Sequence, residues 1–163
     1  MTRPLATSTR VPFSQRVVVV LAACFVLATA ALPAQADGGP RCRLHGDTTI
    51  TTGDRASGNG HTTDFVSNLG AGVWRHVTAS GDRFDGRISI LECHSNTGEI
   101  ANIEGTGSFR GSDVVLSLIA HIEDRARLGE PDYYSIGIFA GTTLVYTTAG
   151  PALAGDLSVT ITP

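Results

Sequence analysis

The sequence contains no lysine, one tryptophan and one methionine, and its positive charge is carried by 12 arginines spread along the chain. The 15 acidic residues outnumber them and give a net charge of −3. Nucleic-acid-binding proteins usually present a clustered basic stripe that neutralises phosphates. We therefore expect no nucleic acid among the partners of this protein.

Long helix-forming stretches are also scarce. All 19 glycines lie after residue 36, in a part of the chain that is rich in threonine. This composition opposes long helices and favours short strands joined by tight turns. No repeat of fixed period is visible, which argues against a solenoid or a propeller.

Residues 1–36 have the features of a secretory signal peptide. Three arginines and no acidic residue precede or flank an apolar run over 17–32. Small residues, Ala34 and Ala36, occupy the positions that signal peptidase reads, so we predict cleavage between Ala36 and Asp37. As a helix the apolar run would span only about 24 Å, which is short of the ~30 Å hydrocarbon core of a membrane.

A lipoprotein signal is the alternative. Residues 21–24 (LAAC) have the form of a lipobox, in which Cys24 would be acylated and would tether the protein to a membrane. Residues 25–27 are apolar, however, whereas a lipoprotein becomes polar after its cysteine. We predict a secreted, extracellular protein, with a lipoprotein tethered through Cys24 as the second interpretation.

The other two cysteines are expected to pair. Cys24 would leave with the signal peptide, and in an oxidising compartment Cys42 and Cys93 most simply form a disulfide. On the chain-entropy model this bond contributes about 4 kcal/mol. Two buried free thiols are the alternative. Cys93 adjoins His94, but no second cysteine or histidine lies at ligand spacing, so we predict no metal site and no cofactor.

The clearest fold signal lies between residues 100 and 139. Three apolar runs, over 100–109, 114–123 and 133–139, are separated by turn residues, which predicts consecutive antiparallel strands. Alternation gives the middle run one apolar face and a second face that becomes polar toward its end. The middle run is therefore predicted as a strand with one buried side.

The remaining short strands are predicted over 48–52, 62–67, 73–79, 87–94, 142–148 and 157–162. Residues 37–46 are predicted as an extended lead-in, and residues 53–60 (GDRASGNG) as a flexible loop. Eight to nine short strands at this spacing predict an all-β fold, an antiparallel Ig-like β-sandwich. It would form a single domain over 37–163.

Four segments carry a resemblance to a known kind of domain: IEGTGSFRG, a strand ending in IED, LGEPDYYSIGIF and the closing LVYTTAG…AGDLSVTIT. Together they resemble a family of small secreted domains from high-GC Gram-positive bacteria, over roughly the last two-thirds of the mature chain. The chain departs from the family pattern where Asp132 replaces glycine after Pro131, and where Arg125 and Arg127 precede that turn. The resemblance implies an Ig-like sandwich of unknown function, without known enzymatic activity.

One local cluster offers hard oxygen ligands to Ca²⁺, and it consists of Glu123, Asp124, Glu130 and Asp132. The other interpretation is that Arg125 and Arg127 neutralise these carboxylates at the surface, while Gly-Glu-Pro shapes a turn. We favour the second interpretation, because calcium loops normally show a more regular series of Asp and Asn.

No catalytic motif is found. The chain has five histidines without metal-binding spacing, of which His121 is expected to be half-buried in mid-strand, and it has no G-x-S-x-G elbow. An aromatic surface patch could be made from Trp74, Tyr133, Tyr134 and Tyr146. Alternation instead predicts that one of the adjacent tyrosines lies in the core and the other outside.

These observations favour a secreted, non-catalytic, monomeric protein that acts through its surface, in adhesion, envelope association or binding of an unknown extracellular or cell-surface ligand. A small secreted hydrolase on the same scaffold would need Asp, His or Ser side chains to converge in one pocket. A secreted inhibitor that presents residues 53–60 to a protease is the third hypothesis.

Overall fold

A computed structural model describes residues 41–95 and 98–163, which form eight antiparallel strands and one 3-10 turn over Ala126–Leu128. The strands are β1 (Arg41–Ile50), β2 (Arg55–Asp64), β3 (Leu69–Val77), β4 (Arg83–Ser95), β5 (Glu99–Phe109), β6 (Leu116–Asp124), β7 (Tyr133–Ala140) and β8 (Thr143–Thr162). The predicted signal peptide, Cys24 and residues 37–40 lie outside the described residues.

Each strand pairs with the next one in the chain, and β8 pairs with β1, so the sheet closes into a barrel. The all-β, antiparallel prediction is confirmed, but the prediction of an Ig-like sandwich is wrong. The reason is β8, which replaces the two strands predicted over 142–148 and 157–162. Its first half pairs with β7 and its second half with β1. Alternation of apolar and polar residues is the same in a sandwich and in a barrel, so it could not reveal this closure.

Glycines inside the barrel explain why β2 was mistaken for a loop. Residues 55–64 pair with both β1 and β3, so the predicted flexible loop over 53–60 is wrong. A Cβ atom at Gly58 would lie 2.7 Å from Trp74 Cε3, and one at Gly46 would lie 2.9 Å from Trp74 Cη2. These glycines make room for a large core side chain, a role that a glycine in a strand can have as readily as it marks a turn. Residues 41–46 of the predicted lead-in likewise belong to β1.

The barrel interior is filled with side chains rather than open. The largest fully buried ones include Trp74, Tyr134, Phe84 and Leu44. Alternation predicts that Leu157, Val159 and Ile161 face inward in the last strand. This is confirmed, because Leu157 and Val159 are buried and Ile161 packs partly buried against the core. A barrel of eight strands has an interior just wide enough for such packing. The expected placement of the adjacent tyrosines is also confirmed, because Tyr134 is buried and Tyr133 is not.

Two strand details differ from prediction. Alternation over the predicted strand 114–123 places Val114 on its buried face, but Val114 precedes β6 and is 58 % exposed. Alternation predicts that Leu144 and Tyr146 lie on one face of the strand over 142–148. In the structure Ile138 pairs with Tyr146 and the next residue, Phe139, pairs with Leu144, so β8 contains one extra residue between them. Leu144 is exposed, whereas Tyr146 packs against the core. A bulge inserts one residue and so breaks the simple alternation.

The predicted disulfide is confirmed. Cys42 on β1 and Cys93 on β4 are bonded, with their Cα atoms 6.2 Å apart and both side chains in the core. Because these strands are not neighbours in the sheet, the bond links two walls of the barrel across its interior. Among the described residues, no helix is long and apolar enough to cross a membrane.

Candidate functional site

A groove of about 880 Å³ lies on the outside of the barrel, across β8, β1 and β2. We call it the outer groove, and its walls include Arg41, Arg43 and His45 from β1, Asn59 and His61 from β2, and Thr160 from β8. Successive side chains of a strand point to opposite faces. In β1 the intervening Cys42 and Leu44 point into the core, so the three basic residues share the outer face.

Strand pairing brings the walls of the outer groove together. Arg43 lies directly opposite His61 on β2 and opposite Thr160 on β8. Backbone pairing between β1 and β2 stops at Arg43 and His61, and beyond it the Cys42 amide donates a hydrogen bond to Thr62 Oγ1 over 3.0 Å. The two strands therefore diverge at this end, where the groove continues past the ladder.

The turn between β2 and β3 closes that end of the groove with Asp64, Phe65 and Val66. Asp64 accepts hydrogen bonds from Ser67 Oγ at 2.5 Å and from the Val66 amide at 3.0 Å. The bond from Ser67, followed by the amide bond, lowers the pKa of Asp64 below its usual range. The hydrogen bonds of the Asp64 carboxylate are thus made to residues of the same turn. The half-buried Phe65 ring lines the groove.

The outer groove carries positive charge that no carboxylate pairs with in the described part of the chain. In the described part of the chain neither Arg41 nor Arg43 has a carboxylate within 4.0 Å, whereas Arg75 and Arg83 both pair with Asp85. Asp64 is the one acidic residue among those that line the groove. Exposed arginine forks without partners are suited to bind carboxylate, sulfate or phosphate groups.

A second constellation lies inside the barrel and was not predicted from the sequence. Trp74 Nε1 donates to the Tyr134 hydroxyl over 3.1 Å, and that hydroxyl lies 3.4 Å from His76 Nδ1. On the far side of the imidazole, Nε2 lies 3.7 Å from Asp54 Oδ2. Asp54 also accepts hydrogen bonds from the Tyr146 hydroxyl at 2.6 Å and from the Ala79 amide at 2.6 Å. We call this set the inner chain.

Burial controls the protonation of the inner chain. Desolvation lowers the pKa of His76 against a smaller opposing effect of Asp54, so the imidazole is neutral at neutral pH. Burial acts to raise the pKa of Asp54, but hydrogen bonds from Tyr146, Thr148 and the Ala79 amide, with His76, outweigh it and lower that pKa. Burial also raises the pKa of Tyr134. The carboxylate is therefore the charged member of a chain whose other groups are neutral.

The inner chain gathers an imidazole, a carboxylate and hydroxyls, as a hydrolase would require, but it lacks access. His76 and Tyr134 are each 0 % exposed, and no serine belongs to the inner chain. A nucleophile must reach a substrate atom at hydrogen-bond distance or closer. Trp74, Tyr134 and His76 are hydrogen-bonded in series and Tyr146 is hydrogen-bonded to Asp54, whereas His76 Nε2 forms no hydrogen bond with any described residue. Together these groups connect β3, β7, β8 and the turn before β2.

The acidic cluster predicted near residues 123–132 is gathered around one loop, where each carboxylate has a protein partner. Arg125 pairs with Glu123 and Glu130. Asp124 accepts from the amides of Val159 and Ala126, and Asp132 accepts from those of Leu157 and Arg125. In the segments 41–95 and 98–163, no group of three or more His, Cys, Asp or Glu side chains is arranged to hold a metal ion.

The five histidines have different environments. His121 is 36 % exposed, as predicted for mid-strand, and contacts Asn102 Oδ1 and Glu123 Oε1. His94 lies 3.3 Å from Glu92. His76 belongs to the inner chain, and His45 and His61 line the outer groove. Trp74, Tyr134 and Tyr146 are likewise taken into the interior, so they do not form the surface patch considered from the sequence.

The sequence did carry a signal for the outer groove. Residues 41–45 read RCRLH, in which basic residues alternate with core residues at the period of a strand. This segment was predicted as part of a lead-in, so its alternation was not used. Comparisons with protein-family models, with curated proteins and with solved structures found no match. The resemblance to a secreted bacterial family therefore stays a prediction.

Proposed function

We propose that this protein is an exported, non-catalytic binding protein that holds an extended polar ligand in the outer groove. The observation that carries the proposal is the exposed pair Arg41 and Arg43, which faces a groove of about 880 Å³ and has no carboxylate partner in the described structure. Ligand sites are concave and contain a few polar groups that fix the orientation of the ligand. This groove is larger than a second cleft of about 340 Å³ that lies over β2, β3 and β4.

Export is supported by two independent features. The first 36 residues read as a signal peptide, and Cys42 and Cys93 form a disulfide, a bond that persists in oxidising compartments. The disulfide also anchors β1 from within, directly between the two arginines. Arg41 and Arg43 are therefore presented by a strand that pairs with β2 and β8 at its two edges and is bonded to β4 through the core.

The rival hypotheses have less support. The inner chain has the groups that a hydrolase requires, but its imidazole is sealed from solvent. An inhibitor would need a projecting loop at 53–60, but residues 55–60 lie in the middle of the sheet between β1 and β3. Neither objection applies to a binding role for the outer groove.

A bulky side chain placed in the groove tests the proposal. Thr160→Trp would fill the groove beside Arg43, and Thr106→Trp is the matched control, because Thr106 is an exposed position on β5, away from the groove. The secreted chain and both variants would be applied to an array of neutral and acidic polysaccharides. We expect at least one polysaccharide to retain the wild type and Thr106→Trp but to lose Thr160→Trp by about tenfold or more.

Two results would contradict the proposal. One is a wild-type protein that is retained by none of the polysaccharides. The other is retention that Thr160→Trp leaves unchanged, which would move the binding surface elsewhere. Circular dichroism of both variants would confirm that the barrel is intact.

A further inference from the structure

The outer groove presents positive charge as a row rather than at a point. Arg41, Arg43 and His45 leave β1 at alternate positions on one face. Side chains on one face of a strand repeat about every 7 Å. His61 adds a further nitrogen-bearing ring beside Arg43, on the neighbouring strand. A ligand with anionic groups repeated along its length matches this row better than a single small anion does.

The row is local, since the protein as a whole is acidic. The net charge is −3, yet the groove contains two arginines and one carboxylate, and that carboxylate is bonded within its turn. Asp47, the next outward residue of β1, lies 3.9 Å from Arg55 on β2.

The rest of the lining suits hydroxyl groups and an apolar ring face. Asn59, Thr63, Ser158 and Thr160 offer amide and hydroxyl groups along both sides of the row. Phe65 offers a half-buried aromatic ring at the closed end of the groove. Sugars display hydroxyls at their edges and C–H groups on their faces, so both kinds of lining have a counterpart in a polysaccharide.

We infer that the ligand of the outer groove is an acidic polysaccharide, a linear glycan that carries carboxylate or sulfate groups. This inference rests on the proposed function and names the class of its ligand. Arg41 and Arg43 each present a planar fork of donors that binds a carboxylate or a sulfate through two parallel hydrogen bonds. The polar side chains beside them bind sugar hydroxyls, and Phe65 packs against a sugar face.

A nucleic acid also carries repeated anions, but it fits the lining less well. Proteins that bind single strands stack successive bases on several aromatic side chains, whereas Phe65 is the one Phe, Tyr or Trp among the residues that line this groove. Duplex binding requires many phosphate contacts, and an acidic protein with two groove arginines supplies few of them. We therefore make a nucleic acid a contradicting outcome of the test.

The test compares two double variants with equal loss of charge. Arg41→Gln/Arg43→Gln removes the row, and Arg87→Gln/Arg110→Gln removes two exposed arginines elsewhere on the barrel. Binding of the secreted chain would be measured by calorimetry with four probes: a heparin oligosaccharide, a polygalacturonate oligosaccharide, neutral dextran and a single-stranded oligodeoxynucleotide. Each titration would be run at 50 mM and at 200 mM NaCl.

We expect the wild type and the control variant to bind at least one of the acidic glycans with an affinity that falls as salt rises. The Arg41→Gln/Arg43→Gln variant should bind at least about tenfold more weakly, because it loses charge-assisted hydrogen bonds. Unchanged binding by this variant would overturn the inference. So would equal or tighter binding of dextran or of the oligonucleotide.

The outcomes separate the inference from the proposed function. If a neutral glycan binds, and Thr160→Trp abolishes that binding while Arg41→Gln/Arg43→Gln does not, the groove is a binding site and the acidic class is wrong. If no glycan binds on the array or in the calorimeter, the proposed function fails as well. Thermal unfolding of each variant would show whether a loss of binding reflects a loss of fold.

Discussion

The inner chain and the outer groove both contain polar side chains on neighbouring strands, but their chemistry is opposite. In the inner chain, Asp54 receives three polar neighbours, and His76 and Tyr134 are fully buried. In the outer groove, Arg41 and Arg43 are exposed and have no carboxylate partner in the described part of the chain. Polar groups that bind one another inside a core support the fold, whereas polar groups left open to solvent in a concave surface are available to a ligand.

The largest expected loss of stability comes from a substitution in the inner chain. Trp74→Ala should lower the free energy of unfolding by about 3–5 kcal/mol, because it opens a cavity in the core and leaves the Tyr134 hydroxyl without its donor. Val73→Ala, at the adjacent and 55 % exposed position, should change it by less than about 0.5 kcal/mol. Urea unfolding of both variants measures the difference. Similar losses in the two would mean that the interior packing is not as described.

A smaller effect is expected from the charged member of the inner chain. Asp54→Asn should destabilise the protein by about 2 kcal/mol, because the hydrogen bonds from Ala79 and Tyr146 lose their ionic acceptor. Asp113→Asn, at an exposed position between β5 and β6, serves as the control and should be nearly neutral. The comparison is made at pH 7, where Asp54 is ionised in the wild type because its pKa is lowered. If Asp54→Asn left the free energy of unfolding unchanged, the stability of the inner chain would not depend on the charge of Asp54.

The inner chain also predicts how stability depends on pH. The pKa of His76 is lowered from 6.5 by burial, so the unfolded chain binds a proton that the folded chain excludes. His76 therefore contributes stability above about pH 6.5, and that contribution is lost as the pH falls toward the folded pKa, with a slope of at most about 1.4 kcal/mol per pH unit. Asp54 acts in the same direction at lower pH, since its pKa is lowered from 3.8.

This prediction is checked by urea unfolding between pH 7.5 and 5. His76→Gln should reduce the loss of stability over that range, whereas the matched groove variant His45→Gln should keep the wild-type slope. If the wild type and His76→Gln lose stability in parallel, the imidazole is not the group that takes up the proton.

The smallest expected effect on stability belongs to the outer groove. Arg41→Gln/Arg43→Gln should change the free energy of unfolding by less than about 0.5 kcal/mol, since both side chains are exposed and form no ion pair in the described structure. The same variant is the one expected to lose the acidic polysaccharide. A large loss of stability would instead give these arginines a role in the fold and weaken the contrast between the two regions.

Parts of the fold were predictable because their signal is local. The strands β5 and β7 begin and end within one residue of the predicted runs, and the inward Leu157 and Val159 follow directly from alternation. The disulfide was predictable because Cys42 and Cys93 are the two cysteines that remain once Cys24 is assigned to the predicted signal peptide. The strand β2 was not predictable. Its glycines make room for Trp74 in the core, but a glycine-rich sequence is also typical of a flexible loop.

The functional candidates were less accessible to sequence reasoning. His121, the histidine that was singled out, lies in a surface hydrogen-bond network, whereas the buried His76 was given no role. His76 meets Asp54, Tyr134 and Tyr146 only because four separate segments point into one interior. The acidic loop residues attracted attention as neighbours in sequence, yet their carboxylates are directed to Arg125 and to backbone amides.

The amino-acid sequence by itself determined that the chain forms strands, which side chains face inward along most of them, and which cysteines pair. These properties depend on spacings of one or two residues and on composition. Only the tertiary structure decided that β8 returns to β1 and closes a barrel, and that Thr160, Arg43 and His61 lie side by side. Pairing between the first and last strands joins residues far apart in the chain, and a pattern of period two gives the face of a side chain but not its neighbour across the sheet.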